Sequence, residues 1–184
     1  MKKFLTQTIA CAGLLFVMTV GVSAQKAEAQ KSEMPVYVGK AHRAVLQEWL
    51  ARNPQMRVAT DKDCGQCLVE IEAQSKANGA VYHPYYAVGD FNGDGKEDFA
   101  VALIESKPVK KRLYEKFAVA VFNGPFKGSA RKHTPAFLRG DLNLRDGGIF
   151  FGPTTPQPKK LFIGLFGSDA GLTLVPEGKS YVGQ

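Results

Sequence analysis

Histidine and cysteine are scarce in this chain, at three residues each in 184. No H-E-x-x-H zinc pair, phosphate loop or G-x-S-x-G nucleophile elbow occurs, which sets aside the enzyme classes those motifs define. A transmembrane helix needs about 20 apolar residues, whereas the apolar run from Ile9 to Val22 stops at fourteen. Internal repeats are absent, and no nucleic-acid-binding motif accompanies the formal charge of +7, so nucleic acid is not an expected partner. With 45% hydrophobic and 22% charged residues the chain is neither disordered nor a membrane bundle, and it can bury one domain-sized core.

What is present begins with a leader. Met1-Lys2-Lys3 runs into the apolar stretch, which ends in Val22-Ser23-Ala24, the layout of a secretory signal cut after Ala24. Ala27-Glu28-Ala29 is a second small-residue site, farther from the apolar run, and lipoprotein processing fails because Cys11 lies inside the apolar segment. Cleavage removes Lys2, Lys3 and Cys11, leaving a moderately basic domain with no transmembrane anchor, located in the periplasm or outside the cell. Residues 25–35, polar and ending in Pro35, read as a flexible tail. Residues 36–184 read as one domain.

Cys64 and Cys67 are then an even pair in an exported chain, where disulfides persist. The C-x-x-C spacing fits a structural bridge, a thiol–disulfide redox centre or a metal site. Redox chemistry calls for a βαβ context and a stabilised thiolate, while Asp61 and Asp63 place negative charge beside Cys64. Haem attachment is excluded by Leu68 after Cys67, and zinc would need two further ligands that are not nearby. The structural bridge ranks first.

Between Lys40 and Arg52, Ala41, Ala44, Val45, Leu46, Trp49 and Leu50 recur at helical spacing, and Asn53-Pro54 ends the pattern. Trp49 is expected to anchor that helix to a sheet. Over Cys64 to Lys76 a helix with Cys64, Cys67, Leu68 and Ile71 on one face is favoured over a strand. From Ala80 onward come short runs rich in Val, Phe, Tyr, Ile and Leu: 80–88, 99–104, 117–122, 149–151, 161–166 and 172–175, with Gly167 to Gly171 as a hairpin loop. Helices first and strands afterwards predict an α+β fold, with N-terminal helices packed on a mainly antiparallel sheet.

Asp90-Phe91-Asn92-Gly93-Asp94-Gly95-Lys96-Glu97-Asp98 is the most informative segment. Calcium takes six to eight hard oxygen ligands, and side chains at positions one, three and five converge on one ion when glycine at six allows a sharp turn. Those positions are Asp90, Asn92, Asp94 and Gly95; the Lys96 carbonyl would fill position seven and Asp98 position nine. An EF-hand needs Glu at twelve and a following helix, whereas Val101 stands there within a strand-like run. Asp, Asn and Gly are also ordinary turn residues. Against that reading, two carboxylates ~4 Å apart repel by about 4 kcal/mol at an effective dielectric of 20. Magnesium, which prefers rigid octahedral sites, suits the loop less well.

With Asp at nine and a strand after it, the segment 88–101 resembles the calcium loops of FG-GAP repeats, the blade motif of integrin-type propellers. The resemblance implies that Asp90, Asn92, Asp94 and Asp98 and the Lys96 carbonyl surround the ion. It covers one copy of the loop and does not carry the propeller fold, which repeats over typically four to eight blades.

His42 falls on the first helix as a packed or solvent-facing residue. His83, between Tyr82 and Pro84, suits packing ahead of catalysis. The basic run Lys107, Lys110, Lys111 and Arg112 reads as a solvated loop, or as a contact for an anionic envelope component or an acidic protein. Together these features predict an exported calcium-binding domain with a structural or binding, non-catalytic role. A thiol–disulfide oxidoreductase using Cys64 and Cys67 and a hydrolase with an unrecognised site are the alternatives.

Overall fold

The computed structural model describes residues 34–65, 67–106, 116–126, 133–152 and 159–184. The expected signal segment, residues 25–33 of the expected tail and the basic run at 107–112 lie outside those residues.

Helix α1 (Lys40–Arg52) forms over the predicted span. Asn53 closes it: its backbone N–H donates to the Leu50 carbonyl, and its Nδ2 donates to the Trp49 carbonyl at 2.9 Å. Pro54 cannot extend the ladder. The chain passes through strand β1 (Met56–Val58) and a 3-10 turn at Asp61–Asp63 to helix α2 (Leu68–Asn78). Then follow β2 (Tyr86–Gly89), β3 (Asp98–Glu105), β4 (Phe117–Phe122), β5 (Phe137–Leu142), β6 (Gly147–Phe150), β7 (Leu161–Leu165), β8 (Gly171–Glu177) and β9 (Ser180–Gly183). Among the described residues this is an α+β chain with more strand than helix.

Strand pairing is antiparallel, but the strands form two sheets where one was expected. The first runs β1-β3-β4-β5, with β2 also on β3; the second is the meander β6-β7-β8-β9. Strand β3 is long enough for two partners on one edge: Asp98 to Val101 pair with β2, and Leu103 to Glu105 with β1. The β7–β8 hairpin closes around Gly167 to Gly171, as anticipated.

β3 and β4 are buried on both faces, which is why each reads as an unbroken apolar run. Ala100, Ala102 and Ile104 of β3 and Phe117, Val119 and Val121 of β4 share one cluster with Ile149, Leu161, Ile163 and Leu174 of the second sheet. Their alternates, Phe99, Val101 and Leu103 with Ala118, Ala120 and Phe122, share another with Val45, Leu46 and Trp49 of α1. Large faces small across most of the pair: Ala100 opposes Val121 and Ala102 opposes Val119, while Val101 opposes Ala120 and Leu103 opposes Ala118. This interleaving lets the sheet approach the layers on both of its faces closely.

Helix α2 departs from expectation. It starts after the cysteines, and none of its residues is buried; Leu68 and Val69 are 77% and 73% exposed. Of the apolar face expected there, Cys67 is buried and Cys64 packs against the core, but both precede the helix, and Leu68 within it is exposed. Strands β1, β5 and β9 were not anticipated. β5 has one residue with positive φ, Asp141, and no alternating apolar pattern, so its strand character comes from pairing with β4.

Candidate metal centre

The acidic loop joins β2 to β3, and Gly89 pairs with Asp98 at its base. Gly93 and Gly95 have φ of 75° and 78°, a conformation that side chains disfavour. These turns bring successive amides onto the side-chain oxygens. Asp90 Oδ1 accepts from Gly93 N at 2.7 Å and Asp94 N at 3.0 Å, and its Oδ2 accepts from Gly95 N at 2.8 Å. Asn92 Oδ1 accepts from Asp94 N at 2.9 Å, and Asp94 Oδ1 accepts from Lys96 N at 2.9 Å. The Lys96 ammonium stands 3.1 Å from Asp94 Oδ2. Its hydrogen bond, with those of Lys96 N and Asn92, holds the exposed Asp94 carboxyl below its ordinary pKa.

Asp98 behaves differently. It is fully buried, with Oδ2 accepting from Phe91 N at 3.0 Å and Oδ1 from Gly124 N at 2.9 Å. Tyr181 donates to Asn123 Oδ1 at 2.8 Å and stands 3.4 Å from Asp98 Oδ2. Burial raises the Asp98 pKa; the two amides oppose that shift, and the charges of Asp94 and Asp90 add to it. A Cβ on Gly124 would lie 2.4 Å from the Glu97 carbonyl oxygen, so only glycine permits this approach.

Among the described residues, no group of three or more His, Cys, Asp or Glu side chains is gathered as a cage for a metal. The donor set nonetheless has the hard-oxygen chemistry calcium takes. A carboxylate has about four lone-pair sites, and single amide bonds leave one open on Asp90 Oδ2, Asp94 Oδ1 and Asp98 Oδ1. Amides bound to the same carboxylates orient ligands without using them up.

The histidines fall elsewhere. His42 is buried, stacked on Phe99 with ring centroids 4.3 Å apart; Nδ1 lies 2.6 Å from the Tyr86 hydroxyl and Nε2 3.2 Å from Glu97 Oε1. His42 thus places α1 beside the acidic loop, a proximity across 55 residues that no local spacing signals, although its buried Nε2 makes no hydrogen bond there. Burial lowers the His42 pKa, and Glu97 partly opposes this. A base whose pKa is depressed in the folded state contributes stability above its unfolded pKa of about 6.5, and that contribution is lost as pH falls. The melting temperature is thus expected to drop from pH 7 to about 5.5. The drop should be smaller in His42→Asn; parallel melting profiles for the two proteins would contradict it.

His83 stacks on Tyr37 at 3.6 Å, and its Nδ1 lies 3.0 Å from Asp61 Oδ2, a packed arrangement. Cys64 and Cys67 are disulfide-bonded, with Cα atoms 5.8 Å apart. Asn123, Gly124 and Tyr181, which complete the surroundings of Asp98, carry no signal in sequence because they arrive from a distant turn and strand.

Compared with protein-family models, with curated proteins and with solved structures, the chain matches none.

Proposed function

We propose that the protein is an exported calcium-binding domain with a structural or binding role in the periplasm or extracellular space. The observation that carries this reading is the ordering of Asp90, Asn92 and Asp94 by the amides of residues 93–96 on a turn that Gly93 and Gly95 permit. The ligands are the side chains of Asp90, Asn92, Asp94 and Asp98 and the Lys96 carbonyl. A bound calcium ion supplies the positive charge that offsets the mutual repulsion of Asp90, Asp94 and Asp98. At Asp94 it competes with the Lys96 ammonium, whose exposed pairing is worth little.

Because the loop connects two hydrogen-bonded strands, its oxygens brace the β2–β3 register. α1 packs on the other face of the same sheet and brings His42 Nε2 to 3.2 Å from Glu97 Oε1, so the helix lies beside the loop on that side. Partners of such a domain are an anionic envelope component or an acidic protein, drawn by its basic charge.

Equilibrium dialysis tests the proposal. One calcium per chain is expected, with a dissociation constant in the ~0.1–1 mM range of extracellular modules, and equimolar magnesium should not displace it. Binding of no calcium, or equal binding of the two ions, would overturn the reading.

A further inference from the structure

A cleft of about 260 Å³ lies between β5, the terminal strand of the first sheet, and the β7–β8 hairpin of the second. No described residue of the acidic loop lines it. Leu142 and Leu144 face it from the end of β5, and Ile163, Leu165 and Leu172 from the hairpin. Leu144 and Ile163 belong to the core cluster between the sheets, Leu142 and Leu172 are half-buried against that cluster, and Leu165 is 41% exposed. The apolar interior therefore continues to the surface here.

A cation lines the same apolar cleft, because Arg139 of β5 borders it together with Leu142. A bulge puts both there. Arg139 opposes Val119 and Leu142 opposes Phe117, so Gly140 and Asp141 together face Ala118 alone. In an unbroken strand residues three apart point to opposite faces; the extra residue turns Arg139 and Leu142 to one side. Asp141, at φ 61° within the bulge, gives its carboxylate to the Lys116 ammonium. Among the described residues no carboxylate pairs with Arg139. Asn143, also at the cleft, accepts from Arg145 N through Oδ1 at 3.4 Å and keeps its Nδ2 as a donor.

We propose that this cleft binds a medium-chain carboxylate, its hydrocarbon tail between the sheets and its carboxylate on Arg139. A guanidinium meets a carboxylate through two parallel N–H···O bonds, and Asn143 Nδ2 is the further donor beside it. The combination selects the class of ligand. A small inorganic anion would satisfy Arg139 and leave the leucines in water, whereas a neutral hydrocarbon would cover the leucines and leave the cation unpaired. Volume sets the length: at ~30 Å³ per water the cleft has the room of about nine waters. That accommodates a tail of about seven carbons, as in octanoate, and a long-chain tail would run out into solvent.

Titration calorimetry with octanoate, in the presence of a chelator so that no calcium carboxylate forms, tests the site. One octanoate should bind per chain with a dissociation constant of about 0.1 mM, within the range that about ten non-hydrogen atoms can supply. Each methylene withdrawn from water is worth about fourfold in affinity, so hexanoate should bind about 15-fold more weakly. 1-Octanol, with the same tail and no charge, should bind about tenfold more weakly than octanoate. Arg139→Met should weaken octanoate about tenfold and change 1-octanol by less than about twofold, while Lys160→Met, which removes the same charge outside the cleft, should leave octanoate within about twofold. Circular dichroism checks that each variant is folded, and the comparison of ligands on the wild type stands without them. No saturable octanoate binding, or hexanoate or 1-octanol bound as tightly as octanoate, would overturn the proposal. So would an equal effect of Arg139→Met and Lys160→Met. The calcium reading fails or survives separately, since every titration is made without the ion.

Discussion

Phe99→Ala is expected to destabilise the protein by about 3–5 kcal/mol, the range for truncating a fully buried aromatic side chain. Phe99 is 0% exposed and stands where three parts of the molecule meet. Its ring stacks on Phe122 of β4 at 4.8 Å and on His42 of α1 at 4.3 Å, and it packs near Phe126 at 5.1 Å. No single neighbour can move in to fill the space, because each belongs to a different element. For a domain of this size each kcal/mol lowers the melting temperature by about 2–4 °C, so denaturant and thermal unfolding will both register the loss. Leu68→Ala on the uncovered α2 should change stability by no more than about 0.5 kcal/mol. A similar loss at the two positions would mean that α2 carries a core contact.

Asp98→Ala is expected to cost about 3 kcal/mol when measured with a chelator present, so that no metal contributes. The substitution leaves the amides of Phe91 and Gly124 without their acceptor. A buried unsatisfied donor costs ~1–3 kcal/mol. Relief of the carboxylate's own desolvation works in the opposite direction and keeps the loss below the sum of the two. Asp98→Asn retains one acceptor oxygen and should lose less than half as much. Urea unfolding decides it: a change within about 0.5 kcal/mol for Asp98→Ala would show that these hydrogen bonds do not hold the loop to β3.

These two residues also mark where the sequence is legible and where it is not. The run containing Phe99 announces itself, because a strand buried on both faces has no polar alternation to confuse the pattern. Helix α1 is equally plain, with its stripe through Val45 and Trp49 and its stop at Asn53-Pro54. The C-x-x-C spacing pointed to the pairing that the structure contains. By contrast β5, with Arg139, Gly140 and Asp141 in its centre, is a strand only because β4 offers its edge, and no local pattern encodes that. β9 did leave a trace: Gly178 at φ 61° and Lys179 form a two-residue hairpin between Glu177 and Ser180. Helix α2 misleads in the other direction, since its helical spacing is sound but no layer covers it.

Within the acidic loop the spacing identifies which residues carry oxygens, while the division of labour among them depends on the fold. Asp98 reads as one more carboxylate in a row, yet burial and the approach of Gly124 and Tyr181 from distant turns and strands make it the anchor of the loop. Asp90, Asn92 and Asp94 remain on the open side. Asp94 is therefore the side chain whose removal should affect a metal most and the core least.

Scanning calorimetry of the wild type and Asp94→Ala, each with a chelator and with 1 mM calcium, tests the calcium reading most directly. If the dissociation constant is near 0.1 mM, calcium should stabilise the wild type by about 1.4 kcal/mol, raising its melting temperature by about 3–6 °C. The increment should vanish in Asp94→Ala. No calcium-dependent rise in the wild type, or an equal rise in Asp94→Ala, would contradict it.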